Sequence, residues 1–316
     1  MESQRVLITG ANGFLGSNIA NRLSSAGLEV YAVVRENTNL WRIENIRDSN
    51  IIKIGEYNSK NLEAIFAKSN PEVVINAVGI AQRKTVNKTE HNWNSNFLTL
   101  ISLVDAMKQF QIRQFIHLGS SFEYGASAKF HQALKENVRC RPVSEYGIAK
   151  LFQTEYLEKV SENYKFSSMV LRIFNVFGPF EEQSRLVPQV TIKAIKNEDI
   201  VLSNPEAIRD FIYVADVVEA IFKAVRKEFN KKFDTLNVGS GAGTTVMDVA
   251  TKLVSIANSS SRILPGERDQ RPENYISPPI ADIKKIHDEL GWALLYSLTE
   301  GLKETYSWLS QHLSLY

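Results

Sequence analysis

Eight residues near the start constrain this chain more than any others. Thr9-Gly10-Ala11-Asn12-Gly13-Phe14-Leu15-Gly16 follows the short apolar run Val6-Leu7-Ile8. It opens a stretch, Phe14 to Ser25, in which Leu15, Ile19 and Leu23 recur every four residues, one face of a helix. A strand that turns on glycines into a helix lets a pyrophosphate approach the backbone. The first helical turn then offers aligned N–H groups and the positive end of its dipole. The spacing G-x-x-G-x-x-G in that context predicts a dinucleotide site built from Gly10, Asn12, Gly13, Phe14, Leu15 and Gly16.

The turn also sets the expected fold. Val30 to Val34, Ile51 to Ile54, Val73 to Asn76, Gln114 to Leu118 and Ser167 to Arg172 read as further strands. Helical stretches lie between them, notably Asn92 to Phe110 and Ser144 to Asn163. The strands are apolar throughout rather than alternating, as expected when helices cover both faces of a parallel sheet. This predicts an α/β fold: a doubly wound parallel (Rossmann) sheet with a smaller C-terminal α/β substrate-binding domain. After Gly178-Pro179 the texture changes, and six of the nine prolines fall at 188, 205, 265, 272, 278 and 279. The expected division is 1–178 for the dinucleotide domain, with 212–238 returning to it, and 179–211 plus 239–316 for the second domain.

Composition narrows the function. Lys and Arg total 37 against 35 Asp and Glu, a net charge of +2, which lacks the basic footprint of a nucleic-acid binder. A single cysteine, Cys140, excludes an intramolecular disulfide framework and a Cys-rich zinc site. The five histidines show no metal spacing. No apolar run approaches the roughly 18 residues that span a bilayer, and the first residues lack the features of a signal peptide. The expectation is a reduced, cytoplasmic protein with no membrane or nucleic-acid partner.

Two further patterns carry chemistry. An acid near the end of the second strand of such a fold bonds the ribose hydroxyls of NAD. Here Val33-Val34-Arg35-Glu36 puts valine at that position and arginine next. An arginine pairs with a 2′-phosphate, so Arg35 predicts NADP(H) in preference to NAD(H); the competing possibility is that Glu36 swings in to hold a free hydroxyl. Farther on, Tyr146 and Lys150 are four apart and share a helix face. A phenol with a pKa near 10 is a poor catalyst at neutral pH, and a neighbouring lysine lowers it. Ser120 stands at the C-terminal edge of the sheet, where its hydroxyl can hold a substrate oxygen.

With these residues in view the chain resembles the extended short-chain dehydrogenase/reductase family, in its branch acting on nucleotide-sugars. The resemblance covers nearly the whole chain. It rests on TGANGFLG at 9–16, Asn76-Ala77-Val78-Gly79, SSFEYG at 120–125, YGIAK at 146–150, LRIFNVFGP at 171–179, RDFIYVADVVEA at 209–220 and Leu290-Gly291-Trp292. It implies that Tyr146 moves the proton, that Lys150 binds the nicotinamide ribose, and that Ser120 bonds the reacting sugar oxygen. It further implies that Ala77, Val78, Gly79 and Asn96 serve the coenzyme, with Glu56 in the place of the acid that touches adenine. Ser121, Phe122, Asn175, Arg209 and Arg271 would meet the nucleotide-sugar, the two arginines gripping its diphosphate. The family resemblance also implies a homodimer built from the helices near 92–110 and 144–163.

The departures sort the reactions. The dehydratase branch carries an Asp-Glu pair where this chain has Ser121 and Phe122, and Glu123 is shifted by one residue and expected to point elsewhere. The 3,5-epimerase/reductase branch places a cysteine at Phe122. The reading favoured by Arg35 is an NADPH-dependent reductase of the 4-keto group of a nucleotide-activated 4-keto-6-deoxy sugar. The alternative is an NAD-dependent nucleotide-sugar 4-epimerase with the same three catalytic residues. A redox-sensing binding module is the third, and retention of Tyr146 and Lys150 argues against it.

Overall fold

Parallel strands buried on both faces account for the apolar runs of the first half. The computed structural model describes residues 4–79, 97–266 and 279–315. Its strands are β1 (Arg5–Thr9), β2 (Glu29–Arg35), β3 (Ile51–Ile54), β4 (Val73–Asn76), β5 (Gln114–Ser120) and β6 (Ser167–Ile173). After them come β7 (Asn175–Phe177), β8 (Ile200–Leu202), β9 (Ile208–Arg209), β10 (Phe211–Tyr213), β11 (Phe233–Val238), β12 (Thr244–Thr245) and β13 (Ile263–Pro265). Seven strands form one sheet in the order β11-β6-β5-β4-β1-β2-β3, every neighbouring pair parallel. The chain is a doubly wound α/β fold. The remaining strands pair in twos: β10 with β7, β12 with β9, and β13 with β8.

Nine α-helices are described: α1 (Phe14–Ser25), α2 (Ser59–Ser69), α3 (Thr99–Met107), α4 (Glu145–Ser161), α5 (Leu186–Ile195), α6 (Val214–Arg226), α7 (Val246–Ile256), α8 (Lys284–Leu290) and α9 (Leu298–Gln311). On one face of the sheet Val6 and Ile8 pack with Ile19 and Leu23 of α1 and Val217 and Ile221 of α6. On the other, Leu7 packs with Leu62 and Phe66 of α2, Leu103 of α3 and Leu157 of α4. Neighbours in β1 thus serve opposite layers, and each such buried Leu or Ile contributes about 2 kcal/mol.

The expected elements are shifted only at their ends. Ser144 is the N-cap of α4, its side chain accepting the Gly147 N–H at 3.2 Å, and the helix ends at Ser161 rather than Asn163. Ser120, expected just beyond the strand, is the last residue of β5. The helix expected over 92–110 is seen as α3, and residues 92–96, with Asn96 among them, lie outside the described residues. No helix among the described residues is long and apolar enough to cross a membrane.

One contact joins the far end of the chain to the first half. Trp308 of α9 stacks on Trp41 with ring centroids 6.4 Å apart. Phe180 meets both rings edge-on, at 5.3 and 5.2 Å. Phe180 holds a backbone φ of 73° to do so, a conformation that bulky residues rarely adopt. The loop bearing Trp41 is tied in turn to the glycine turn, because the Asn12 amide donates to Thr38 Oγ1 at 3.0 Å and to the Asn39 carbonyl at 2.7 Å.

Candidate active site

The sheet order reverses between β2-β1 and β4-β5, so the crevice of this fold opens at the C-terminal ends of β1 and β4. The glycine turn sits there. Gly10 has φ of 69°, and a side chain on it would meet the Ala77 carbonyl oxygen at 2.8 Å and the Val78 nitrogen at 2.9 Å. A side chain on Gly16 would overlap the Gly10 carbonyl oxygen. Gly13 is the N-cap of α1 and supplies no side chain to its N–H groups. Phe14 and Leu15 pack partly on the core. Backbone closeness, a turn without side chains and an uncapped helix start are what a pyrophosphate requires. The residues present therefore fit a dinucleotide.

Beside it, Ala77 donates to the Thr9 carbonyl at 3.0 Å, and the Val78 N–H donates to Asn76 Oδ1 at 3.1 Å. Gly79 closes the described part of this turn. Asn76 also accepts from Thr9 Oγ1 at 2.8 Å and lies 3.1 Å from His117 Nδ1. His117 Nε2 lies 3.2 Å from Gln153 Oε1. Burial, and then the charge of Lys150, hold the His117 imidazole well below its ordinary pKa. It is a neutral, packed histidine that links β4, β5 and α4.

At the adenosine end, Arg35 is exposed where β2 ends. Glu36 reaches across the strand ends, its Oε1 only 3.2 Å from where a Gly55 side chain would begin. Glu56 is exposed and receives the Asn58 amide at 3.5 Å. Its neighbour Tyr57 turns inward. Burial pushes its phenol up to about 12, while a hydrogen bond from the Gly10 backbone and the charge of Arg35 oppose the rise.

The catalytic candidates converge at the ends of β5 and α4. Gly147 lets that helix approach: a side chain there would meet the Phe122 carbonyl oxygen at 2.6 Å. Tyr146 is hydrogen-bonded by the Ser120 hydroxyl and packed edge-on against the Phe122 ring, centroids 5.9 Å apart. Lys150 is buried, and its Nζ donates to the Leu118 carbonyl at 2.8 Å and lies 6.0 Å from the Tyr146 ring centroid. The electrostatics differ from the sequence expectation. Burial raises the Tyr146 phenol above its ordinary pKa; the Ser120 hydrogen bond and the charge of Arg185 oppose the rise, and Glu123 adds to it. Lys150 is itself pulled down to about 8 by burial, Glu123 opposing. At Tyr146 burial, rather than the lysine the spacing put forward, dominates. Arg185, at the N-cap position of α5, has no precedent in the motifs read from the sequence.

Glu123 turns into the interior, toward Ser120, Thr154 and Arg172. It is fully buried, and its Oε1 accepts the Ser120 N–H at 2.8 Å. Its Oε2 accepts Thr154 Oγ1 at 2.9 Å and Arg172 Nε at 2.8 Å. Arg172 is buried too, so this is an ion pair of the interior. Replacing both partners of such a pair by apolar residues is often neutral, whereas removing one leaves an uncompensated buried charge.

Of the residues expected to meet a nucleotide-sugar, Asn175 opens β7 with its Nδ2 buried and no hydrogen-bond partner. Arg209 ends β9, its Nη1 donating to the Ile208 carbonyl at 2.7 Å. Asp210 is buried, and its carboxylate accepts from the Ser240 N–H and hydroxyl and from the Gly241 and Ala281 N–H groups. Ser121 is buried and Phe122 half-buried. Arg271 lies outside the described residues.

Fold and motif order define an extended short-chain dehydrogenase/reductase. The chain belongs to the NAD dependent epimerase/dehydratase family, whose model matches residues 6–239. A UDP-glucose 4-epimerase of Pisum sativum is 25% identical over 341 residues, covering 97% of this chain and 95% of its own length. A dTDP-D-glucose 4,6-dehydratase of Bos taurus is 23% identical, with 98% and 90% covered. Among solved structures, the UDP-glucose 4-epimerase of Thermotoga maritima with UDP-glucose superposes with a TM-score of 0.85 at 26% identity. It covers 98% of this chain and 99% of its own.

Proposed function

We propose that this protein is a nucleotide-sugar 4-epimerase working with a resident NAD. The observation that carries the reading is what stands beside Tyr146. Its relatives include both epimerases and a dehydratase. Ser121 and Phe122 offer no carboxyl group to move the second proton that elimination of water requires, and the carboxylate of Glu123 is committed to Ser120, Thr154 and Arg172. Oxidation and re-reduction at one carbon need only one acid–base group. Ser120 would steady the C4 oxygen, and Tyr146 would take the hydroxyl proton as C4 becomes a ketone. Tyr146 would return it after the ring has presented its other face. Bound NAD would supply the acceptor and then the donor of the C4 hydrogen. Gly10 to Gly16 would hold its pyrophosphate and Lys150 its nicotinamide ribose. Glu36, folded over Gly55, supports a free ribose hydroxyl rather than a 2′-phosphate.

Asn175, Arg209 and Arg271 complete the reading as the grip on the sugar diphosphate, and the kinship with UDP-glucose 4-epimerases supports a UDP-hexose. The division at 178, with 212–238 returning, belongs to the same reading: coenzyme on one part, sugar nucleotide on the other. A homodimer belongs to it as well. Leu98 and Phe152 are 52% and 47% exposed, with Phe97 against Phe152 and Tyr156, and a second copy would cover them.

One observation favours a second reading, the NADPH-dependent 4-ketoreductase: Arg35 is exposed at the end of β2, where a 2′-phosphate would reach it. The same experiment separates the two. The purified protein is denatured to release and identify its nucleotide, then incubated with UDP-glucose or UDP-galactose without added coenzyme. Released NAD and interconversion of the two sugars support the epimerase. Stoichiometric NADPH consumption with nucleotide-linked 4-keto-6-deoxy sugars, and no interconversion, overturns it in favour of the reductase.

A further inference from the structure

We propose that Glu123 is a positioning residue for catalysis: a buried carboxylate that locks the Ser120 backbone to the helix carrying Tyr146 and Lys150 and supplies a fixed negative charge behind both. The inference rests on the reading of Tyr146 as the acid–base group.

Three observations meet at this carboxylate. The first is its reach. Ser120 on β5, Thr154 on α4 and Arg172 on β6 all donate to it, at 2.8, 2.9 and 2.8 Å. It is thus the point where the strand bearing the serine and the helix bearing the tyrosine are fastened together. The second is reciprocity. Ser120 Oγ accepts the Phe122 N–H at 3.3 Å while Glu123 accepts the Ser120 N–H, a capping box around the turn Ser121–Glu123. The hydroxyl that bonds Tyr146 is therefore oriented by the same turn that Glu123 closes. The third is room. A side chain on Gly119 would meet Glu123 Oε1 at 2.7 Å and Val170 Cγ1 at 2.8 Å. Gly119 leaves the space through which the carboxylate reaches back to Ser120.

The charged surroundings define what removal of this charge does. Tyr146 faces Ser120 from β5, Arg185 from the start of α5 and Glu123 from the turn. Lys150 faces the Leu118 carbonyl and His117 on β5, and Glu123. Glu123 itself faces Arg172 from β6 and Cys140 from the loop before α4. Its negative charge disfavours the phenolate and favours the ammonium. Without that charge both groups titrate at lower pH.

The test uses Glu123→Gln, which keeps one acceptor oxygen for Ser120 but no charge, and Glu123→Gln with Arg172→Gln, which leaves no unpaired interior cation. Thr154→Val breaks only the tether between turn and helix. Each is measured for turnover against pH beside wild type and Tyr146→Phe. In both charge variants we expect the whole pH profile to move to lower pH by roughly half a unit to one unit. We expect kcat to fall about tenfold while KM changes little. Thr154→Val lowers kcat about threefold with its profile in place. Variants that fold and keep the wild-type profile and kcat overturn the proposal. If neither charge variant folds, Thr154→Val decides it, and an unchanged kcat there overturns it. A wild type without nucleotide-sugar turnover, or a fully active Tyr146→Phe, instead sinks the reading of Tyr146 and is recognised separately.

Discussion

Gly10, Gly13 and Gly16 act through what they lack, whereas Asn175, Arg209 and Asp210 act through what they carry. At the crevice between β1 and β4 main chain packs on main chain, and any side chain at Gly10 or Gly16 would collide with neighbouring backbone. At β7 and β9 short strands hold up side chains whose job is electrostatic or hydrogen-bonding. The lesson is that the coenzyme side is rigid because it is made of backbone packed on backbone. If Asn175 and Arg209 meet the sugar nucleotide as proposed, that side can be retuned one side chain at a time, without rebuilding the fold.

Variants sharpen this contrast. The largest effect belongs where the two sides meet: Tyr146→Phe should lower turnover by about 10³-fold, within the range for a general acid–base group. Coenzyme binding, followed by fluorescence titration, should be intact. Gly16→Ala attacks the backbone-built side. Overlap with the Gly10 carbonyl should cost about 3 kcal/mol of stability, read by chemical denaturation, and weaken coenzyme binding at the same time. A variant with wild-type stability would break the contrast.

Lys150 offers a test of similar size through pH. Its ammonium titrates near 8 in the fold against an ordinary 10.5. At neutral pH the unfolded chain therefore holds this proton more tightly, and its burial opposes folding by on the order of 3 kcal/mol. The opposition fades as pH rises from 8 to 10.5. The stability advantage of Lys150→Met over wild type should accordingly shrink across that window in denaturant melts; a constant difference would contradict the buried charge.

Arg209→Ala attacks the side-chain side. KM for the nucleotide-sugar should rise about tenfold, the loss of one charge-assisted contact, with the unfolding midpoint unchanged. A large stability loss would show that Arg209 is structural. The smallest effect is at the edge. Arg35→Asp should reduce NADPH affinity several-fold and leave NAD affinity in place, and an unchanged preference would remove Arg35 from coenzyme choice.

Legibility followed the same contrast. The glycine turn, the strand series and the Tyr146–Lys150 pair were readable because each rests on local spacing, which fixes backbone path and helix face before any tertiary contact forms. Glu123 was read as displaced from a catalytic position. Its role depends on Thr154 and Arg172, 31 and 49 residues away in sequence, which no local pattern connects. The lysine effect on Tyr146 was overestimated because burial acts on both groups, and burial is a property of the assembled core. Asp210 follows Arg209 directly, yet its carboxylate turns away into the core. The turn at Ser240 and the segment at Ala281 claim its carboxylate instead.

The stacked rings of Trp41 and Trp308 give the molecule an optical consequence. They join the last helix to the loop that Asn12 ties to the glycine turn, so the indoles lie one loop away from any arriving dinucleotide. Their emission overlaps the absorption of a reduced nicotinamide. Quenching by energy transfer would therefore report, without any added label, when the bound coenzyme is reduced and when it is reoxidised.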